Sequence, residues 1–226
     1  MNIERTAELE SRAKVHAALA DVTRLQILDL LVVGDASASE VGASLGVPSN
    51  LLAHHLGVLE RAALVARRRS EGDGRRSYLS LGPAAHPDVT GRSVLGSPSR
   101  VVFVCTANTA RSHLAAALWR AASPIAAISA GTHPGERIHR GAVQVADRRG
   151  LALPDVAPQL LDRVQRGGDL VITVCDRAHE ELGGAGWAHW SVRDPARTGT
   201  RAAFDTAYAD LESRVAALAP RLAPAS

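Results

Sequence analysis

The chain has two cysteines in 226 residues, and the first stands where a thiol could do chemistry. Val101 to Arg120 reads VVFVCTANTARSHLAAALWR. An apolar, β-branched run ends on Cys105, a short polar loop follows, and Arg111 and Ser112 open an alanine-rich segment. A loop that turns sharply from a strand into a helix directs successive backbone N–H groups inward, making a concavity for a tetrahedral oxyanion. Thr106, Ala107, Asn108, Thr109, Ala110 and Arg111 would line it. Arg111 adds a planar fork that binds two oxygens at once. The same positive field favours the thiolate, the nucleophilic form of cysteine. Ser112 can donate a hydrogen bond to that sulfur, and Asn108 can brace the loop from within. A buried cysteine that merely closes a core strand is the alternative, which Arg and Ser at these offsets argue against.

The elements needed to hold such a loop are legible on both sides of it. Strands are expected at residues 100–105, 125–130 and 169–175, with a short one at 188–192. Helices are expected at 112–122, 141–149, 160–166 and 202–218. Alternation of this kind predicts an α/β domain, a parallel sheet covered by helices. Ligands bind at the carboxyl ends of such strands, where Cys105 falls. The second cysteine, Cys175 in VITVCD, closes another predicted strand on the same edge; a buried apolar role is its other reading. Residues 176–186, with three glycines and no core pattern, are expected to move.

The first 82 residues follow a different plan. Val15, Leu19, Val22, Leu25, Ile27, Leu28 and Leu31 keep helical spacing. A short helix then follows Ser37 or Ser39 and ends at Gly46, and another begins with Pro48 in its first turn. Two strand-like runs, 64–69 and 76–81, flank a Gly-rich connection suited to a hairpin. This is the order of a winged helix-turn-helix. Ser49, Asn50 and His54 are the candidates for reading base edges, whereas Leu52, Leu56, Leu59 and His55 read as core. Arg67, Arg68, Arg69, Arg75 and Arg76 cluster on the hairpin and suit phosphates. A net charge of only +3 means that the distribution of charge carries this signal. The boundaries predicted are 1–82 for the DNA-binding domain, 83–98 for a Gly/Pro/Ser-rich linker and 99–226 for the α/β domain. A polar N-terminus and no long apolar run point to a cytoplasmic protein that does not bind membrane.

CTANTARS resembles the C-x5-R-S loop of the low-molecular-weight protein tyrosine phosphatase superfamily, which includes thiol-dependent arsenate reductases. SAGTHPG (129–135) and VRDPA (192–196) resemble its second-strand signature and its Asp-Pro loop. The resemblance implies Cys105 as nucleophile, Arg111 as oxyanion clamp and Asp194 as proton donor. It also makes Cys175 similar to the resolving cysteine of the reductases, and DPA resembles the reductases more than the Asp-Pro-Tyr usual in phosphatases. The reductases' third cysteine is Leu182 here, their second loop cysteine is Ala110, and an expected Glu is Ala116. No bound cofactor or metal is implied; the reductant would be an external thiol, either a redoxin or a low-molecular-weight thiol such as mycothiol. Leu45 to Val65 resembles the helix-turn-helix of ArsR-type repressors, which implies double-stranded DNA as partner and a homodimer. The usual arsenic-sensing cysteines are absent from VVGDASASE. Three functions follow from the resemblances: a regulator fused to an arsenate reductase, the same regulator fused to a tyrosine phosphatase, or a transcription factor with a non-catalytic oxyanion- or redox-sensing domain.

Overall fold

The computed structural model describes residues 3–85 and 95–224. The chain divides into two compact units, Met1–Arg69 with Arg75–Arg92, and Ser70–Gly74 with Ser93–Ser226. Residues 86–94 of the expected linker lie outside the described residues.

In the first unit, helices α1 (Ile3–Leu19), α2 (Val22–Val33), α3 (Ala38–Leu45) and α4 (Ser49–Arg61) surround a three-stranded antiparallel sheet of order β1-β3-β2. Its strands are β1 (Ala36–Ser37), β2 (Val65–Arg69) and β3 (Ser77–Leu81). Ser37 starts α3 through a reciprocal capping box with Glu40, and Gly46 ends it in the left-handed conformation at φ 64°. Pro48 stands one residue before α4 as its N-cap, just outside the first turn in which it was expected. The pattern of apolar positions resolves into one core built on Ile27, Leu28, Val41, Leu52, Leu59 and Leu79. β1 is an addition: two residues are too short to leave a periodic signal.

The second unit is a parallel four-stranded sheet of order β5-β4-β6-β7. Its elements are β4 (Arg100–Cys105), α5 (Arg111–Ala122), β5 (Ala126–Gly131), α6 (Arg140–Arg148) and α7 (Leu161–Val164). Then come β6 (Asp169–Thr173), α8 (Asp176–Glu181), β7 (Ala188–His189) and α9 (Arg201–Leu218). Strand β4 is central, and Val101 to Val104 are wholly buried on both faces, as a continuous apolar run requires. Phe103 packs between Trp119 and Trp190, with ring centroids 5.8 and 5.5 Å away. At the other end of the unit, Leu95 N donates to Arg221 O and Ala223 N donates to Gly96 O.

The strand order sets the place of the chemistry. The chain leaves β4 for β5 on one side and returns to β6 on the other, so the crevice between the carboxyl ends of β4 and β6 is the topological switch point. Cys105 ends β4, and Cys175 follows β6 by two residues. Four expectations shift. β6 stops at Thr173, β7 stops at His189 instead of reaching 192, α7 is a single turn instead of spanning 160–166, and half of the segment expected to move is helix α8, with Asp176, Ala178 and His179 buried. Helix periodicity was hidden there because six residues hold fewer than two turns.

Gly131, the last residue of β5, touches the loop after β4. A Cβ at this position would lie 2.6 Å from Thr106 O and 2.9 Å from Asn108 Cβ. Gly131→Ala is therefore expected to cost about 1–3 kcal/mol, the usual range for overpacking, and to weaken phosphate binding together with stability. Urea denaturation and a phosphate titration check both effects.

Candidate active site

The loop from Thr106 to Ala110 is held open from outside. Four of its peptide carbonyls, or those adjoining it, accept bonds from neighbouring segments. Thr132 N donates to Cys105 O, His133 N to Thr106 O, Gly135 N to Ala107 O and His139 N to Thr109 O. With the carbonyls turned out, the amides turn in. Among the described residues, the N–H groups of Ala107, Thr109 and Ala110 have no protein acceptor. Helix α5 begins at Arg111 without a side-chain cap, so its first-turn donors open onto the same space. Inward amides at a helix start form a cradle of the kind that suits an anion.

Cys105 Sγ sits at its floor. It accepts from Asn108 N at 3.2 Å and lies 3.1 Å from Ser112 Oγ. Asn108 is the loop's brace. It adopts a left-handed φ of 48° and is fully buried. Its Nδ2 donates to Ser112 Oγ at 2.8 Å, and its Oδ1 accepts from Gln159 N at 2.8 Å. Gln159 Nε2 in turn donates to Ser129 O, tying the loop to β5. Gln159 left no mark in the sequence, since its contact runs through its backbone and its neighbours follow no motif.

Arg111 closes the cradle. Its Nη1 donates to Val192 O at 2.9 Å, and its Nη2 lies 3.4 Å from Asp194 Oδ2. Burial works against the guanidinium's charge, yet the sulfurs of Cys175 and Cys105 and the carboxylate of Asp194 hold its pKa above the ordinary value. Asp194 is partly exposed and also caps the turn Pro195–Arg197 by accepting from Ala196 N. Cys175 Sγ accepts from Thr106 N at 3.2 Å and from Ala178 N at 3.4 Å. Burial pushes the Cys175 thiol's pKa up; Arg111 pulls against this, and Cys105 pushes the same way. Both cysteines are free thiols.

Cys105, Arg111, Ser112, Asn108, Asp194 and Cys175 thus converge on one crevice. Sequence reading missed a second group beside it. Asp176, His189 and Ser191 are buried. Asp176 Oδ1 lies 3.1 Å from His189 Nε2, and the carboxylate also accepts from the Ser191 side chain. His189 Nδ1 lies 2.9 Å from Thr173 Oγ1, and His179 stacks on His189 at 4.1 Å. The adjacency of Asp176 to Cys175 was its single visible signal.

In the first unit, Ser49, Asn50 and His54 are exposed on the N-terminal half of α4, while Leu52, His55, Leu56 and Leu59 face inward. Arg67, Arg69, Arg75 and Arg76 are exposed, and Arg68 is half-buried. Arg67 pairs with Glu60 at 2.9 Å, which reduces its availability to a phosphate.

The cysteine and arginine stand at the switch point of a parallel sheet and face an aspartate on the segment after β7. The chain belongs to the low molecular weight phosphotyrosine protein phosphatase family, whose profile matches residues 100–225. Its N-terminal region is similar to bacterial transcriptional regulators. An HTH-type transcriptional regulator of Mycobacterium tuberculosis is 40% identical over 79 residues, 34% of this chain and 64% of the regulator. The chain therefore spans less than two thirds of that regulator's length. The transcriptional repressor SdpR of Bacillus subtilis is 34% identical over 67 residues, 30% of this chain and 71% of the repressor. Among solved structures, arsenate reductase from Archaeoglobus fulgidus is 30% identical and covers 53% of this chain and 98% of its own, with a TM-score of 0.45. Among the described residues, no helix is long and apolar enough to cross a membrane.

An ammonium cannot reproduce the fork that Arg111 presents to both Val192 O and an anion. Arg111→Lys is expected to reduce phosphate affinity at least tenfold, which isothermal titration of the two proteins checks.

Proposed function

We propose that the protein is a DNA-binding regulator fused to a thiol-dependent arsenate reductase. One observation carries the reductase half: Cys175 Sγ accepts a hydrogen bond from Thr106 N, the amide directly after Cys105. A phosphatase needs one sulfur, but reduction of arsenate needs two electrons, which two thiols supply by becoming a disulfide.

In this mechanism the cradle amides and Arg111 hold arsenate over Cys105. Cys105 Sγ attacks arsenic(V), one As–O bond breaks, and the departing oxygen leaves as water with a proton from Asp194. Cys175, giving up its proton to solvent, then attacks Cys105 Sγ. The S–As bond breaks and its electron pair stays on arsenic, which departs as arsenite. The two thiols become a Cys105–Cys175 disulfide, and an external thiol, a redoxin or a small thiol of the mycothiol kind, returns it to the reduced state. The raised pKa of Cys175 suits this order, since a protonated second thiol does not compete with Cys105 for the first attack.

A phosphatase is the second reading, supported by the family's description and by the partly exposed Asp194 beside Arg111, a placement suited to protonating an ester oxygen. Cys175→Ser separates the two. Arsenite release with arsenate and a thiol reductant is expected to fall by two orders of magnitude or more, while aryl-phosphate hydrolysis stays within a few-fold. The disulfide is expected in non-reduced peptide mass spectra after turnover of the wild type. Arsenite release by the variant at the wild-type rate would assign the second thiol to an external donor in place of Cys175.

For the first unit we propose that a homodimer sets the exposed face of α4, with Ser49, Asn50 and His54, into the major groove while the hairpin arginines meet phosphates. Arg69→Ala is expected to weaken binding to all duplexes alike and to reduce the salt slope by about 1. His54→Ala is expected to relax sequence preference more than it lowers non-specific affinity. Fluorescence anisotropy with specific and random duplexes over a salt series reads both.

A further inference from the structure

The aspartate that faces Arg111 stands on a segment with little backbone support. Strand β7 has two residues, paired as Ile172 with Ala188 and Thr173 with His189. One more bond, Trp190 N to Thr173 O at 2.7 Å, extends the attachment. Beyond Trp190 the chain runs through Ser191, Val192 and Arg193 to Asp194 without sheet pairing. Side chains hold it instead. Glu71, in the Ser70–Gly74 segment of the same unit, accepts from Asp194 N through its Oε2 at 2.8 Å. Arg111 takes Val192 O and faces Asp194. Asp176 takes the two residues that flank Trp190, through His189 Nε2 at 3.1 Å and the Ser191 side chain. All three members of this bracket are at least 97% buried, where an unmatched carboxylate would be costly and a matched one is held firmly.

We propose that Asp176 is the positioning residue for the proton donor: its carboxylate, bracketing His189 and Ser191, sets the Asp194 loop against Arg111. Asp176 touches no substrate and acts through the loop. The inference rests on the reading of Asp194 as proton donor. The bracket also explains a feature the reductase mechanism leaves unused, a buried Asp–His–Thr–His array directly behind Cys175. Asp176 follows Cys175 in the chain and opens α8, so the strand end that delivers the second sulfur also fixes the donor's loop.

The physical consequence is selective. A donor displaced by a fraction of an ångström still leaves the cradle intact, so oxyanion binding survives. Protonation of the leaving oxygen suffers, and it matters in proportion to how poor the leaving group is. Aryl phosphates graded in leaving-group pKa therefore report the donor's placement.

The test uses the full chain and compares wild type, Asp176→Asn, Ser191→Ala and Asp194→Asn on such a series, with inorganic phosphate as competitive inhibitor. The wild type is expected to be nearly insensitive to the leaving group, and Asp194→Asn strongly sensitive. Asp176→Asn is expected to follow Asp194→Asn, losing about tenfold on alkyl-substituted phenols, a part of the 10²–10⁴ that general acids supply. On nitrophenol its rate is expected to stay within about two-fold of wild type, with an unchanged phosphate inhibition constant. Ser191→Ala, which keeps the carboxylate and removes one arm, is expected to lie between. It serves as the measure if Asp176→Asn does not fold. Equal losses across the series in both bracket variants would reduce Asp176 to structural support and overturn the proposal. An insensitive Asp194→Asn, or a chain that cleaves none of the esters, would instead remove the donor reading, and the bracket's role with it.

Discussion

A guanidinium buried at the end of a parallel sheet is the constraint around which the second unit is organised. Taking the Arg111 charge out of water costs several kcal/mol unless its surroundings answer it. The chain answers with Val192 O, the Asp194 carboxylate and two cysteine sulfurs. These groups come from three separate segments, each delivered to the carboxyl edge of the sheet by its topology. The order β5-β4-β6-β7 puts the ends of β4 and β6 side by side, which brings Cys105 and Cys175 together although 69 positions separate Thr106 from Cys175. The same inward amides and guanidinium are the donors that suit a tetrahedral oxyanion.

What the sequence disclosed follows from how local each signal is. The Cys105–Ser112 loop was legible because its chemistry lies within eight consecutive residues and is framed by a strand and a helix of ordinary length. The central strand showed as an unbroken apolar run, and Ser37, Gly46 and the α4 leucines marked the helix-turn-helix by caps and spacing. The remainder depends on contacts between distant segments. Gln159 braces Asn108 through a backbone amide, which any residue type carries, so its identity could not announce it. Asp176 and His189 each looked like a lone polar residue, and their bond exists because α8 is short and turns Asp176 inward. α7 and β7 were legible as elements but shorter than expected, and the two-residue β1 is below the length at which periodicity can be measured.

The two units differ in what stabilises them. The first relies on a shared apolar core with its polar functional candidates on the outside, so α4 can vary on its exposed face with little effect on folding. In the second, functional and structural groups interpenetrate. Ser112, His113 and Asn108 are as buried as the leucines around them, and changes near the site therefore alter folding and chemistry together.

Asn108 shows how narrow that overlap makes the choice of residue. Its φ of 48° lies in a region that β-branched and bulky side chains avoid. Glycine would enter it freely, but would surrender both bonds that hold Ser112 and Gln159. Aspartate would tolerate the backbone and could still accept from Gln159, yet it has no amide to donate to Ser112 and would set a negative charge beside the nucleophile. Position 108 is thus confined by two independent filters, one conformational and one chemical, and asparagine is the residue that passes both. The shape of the loop around Cys105 therefore hangs on a single side chain that is at once a hinge and a clasp.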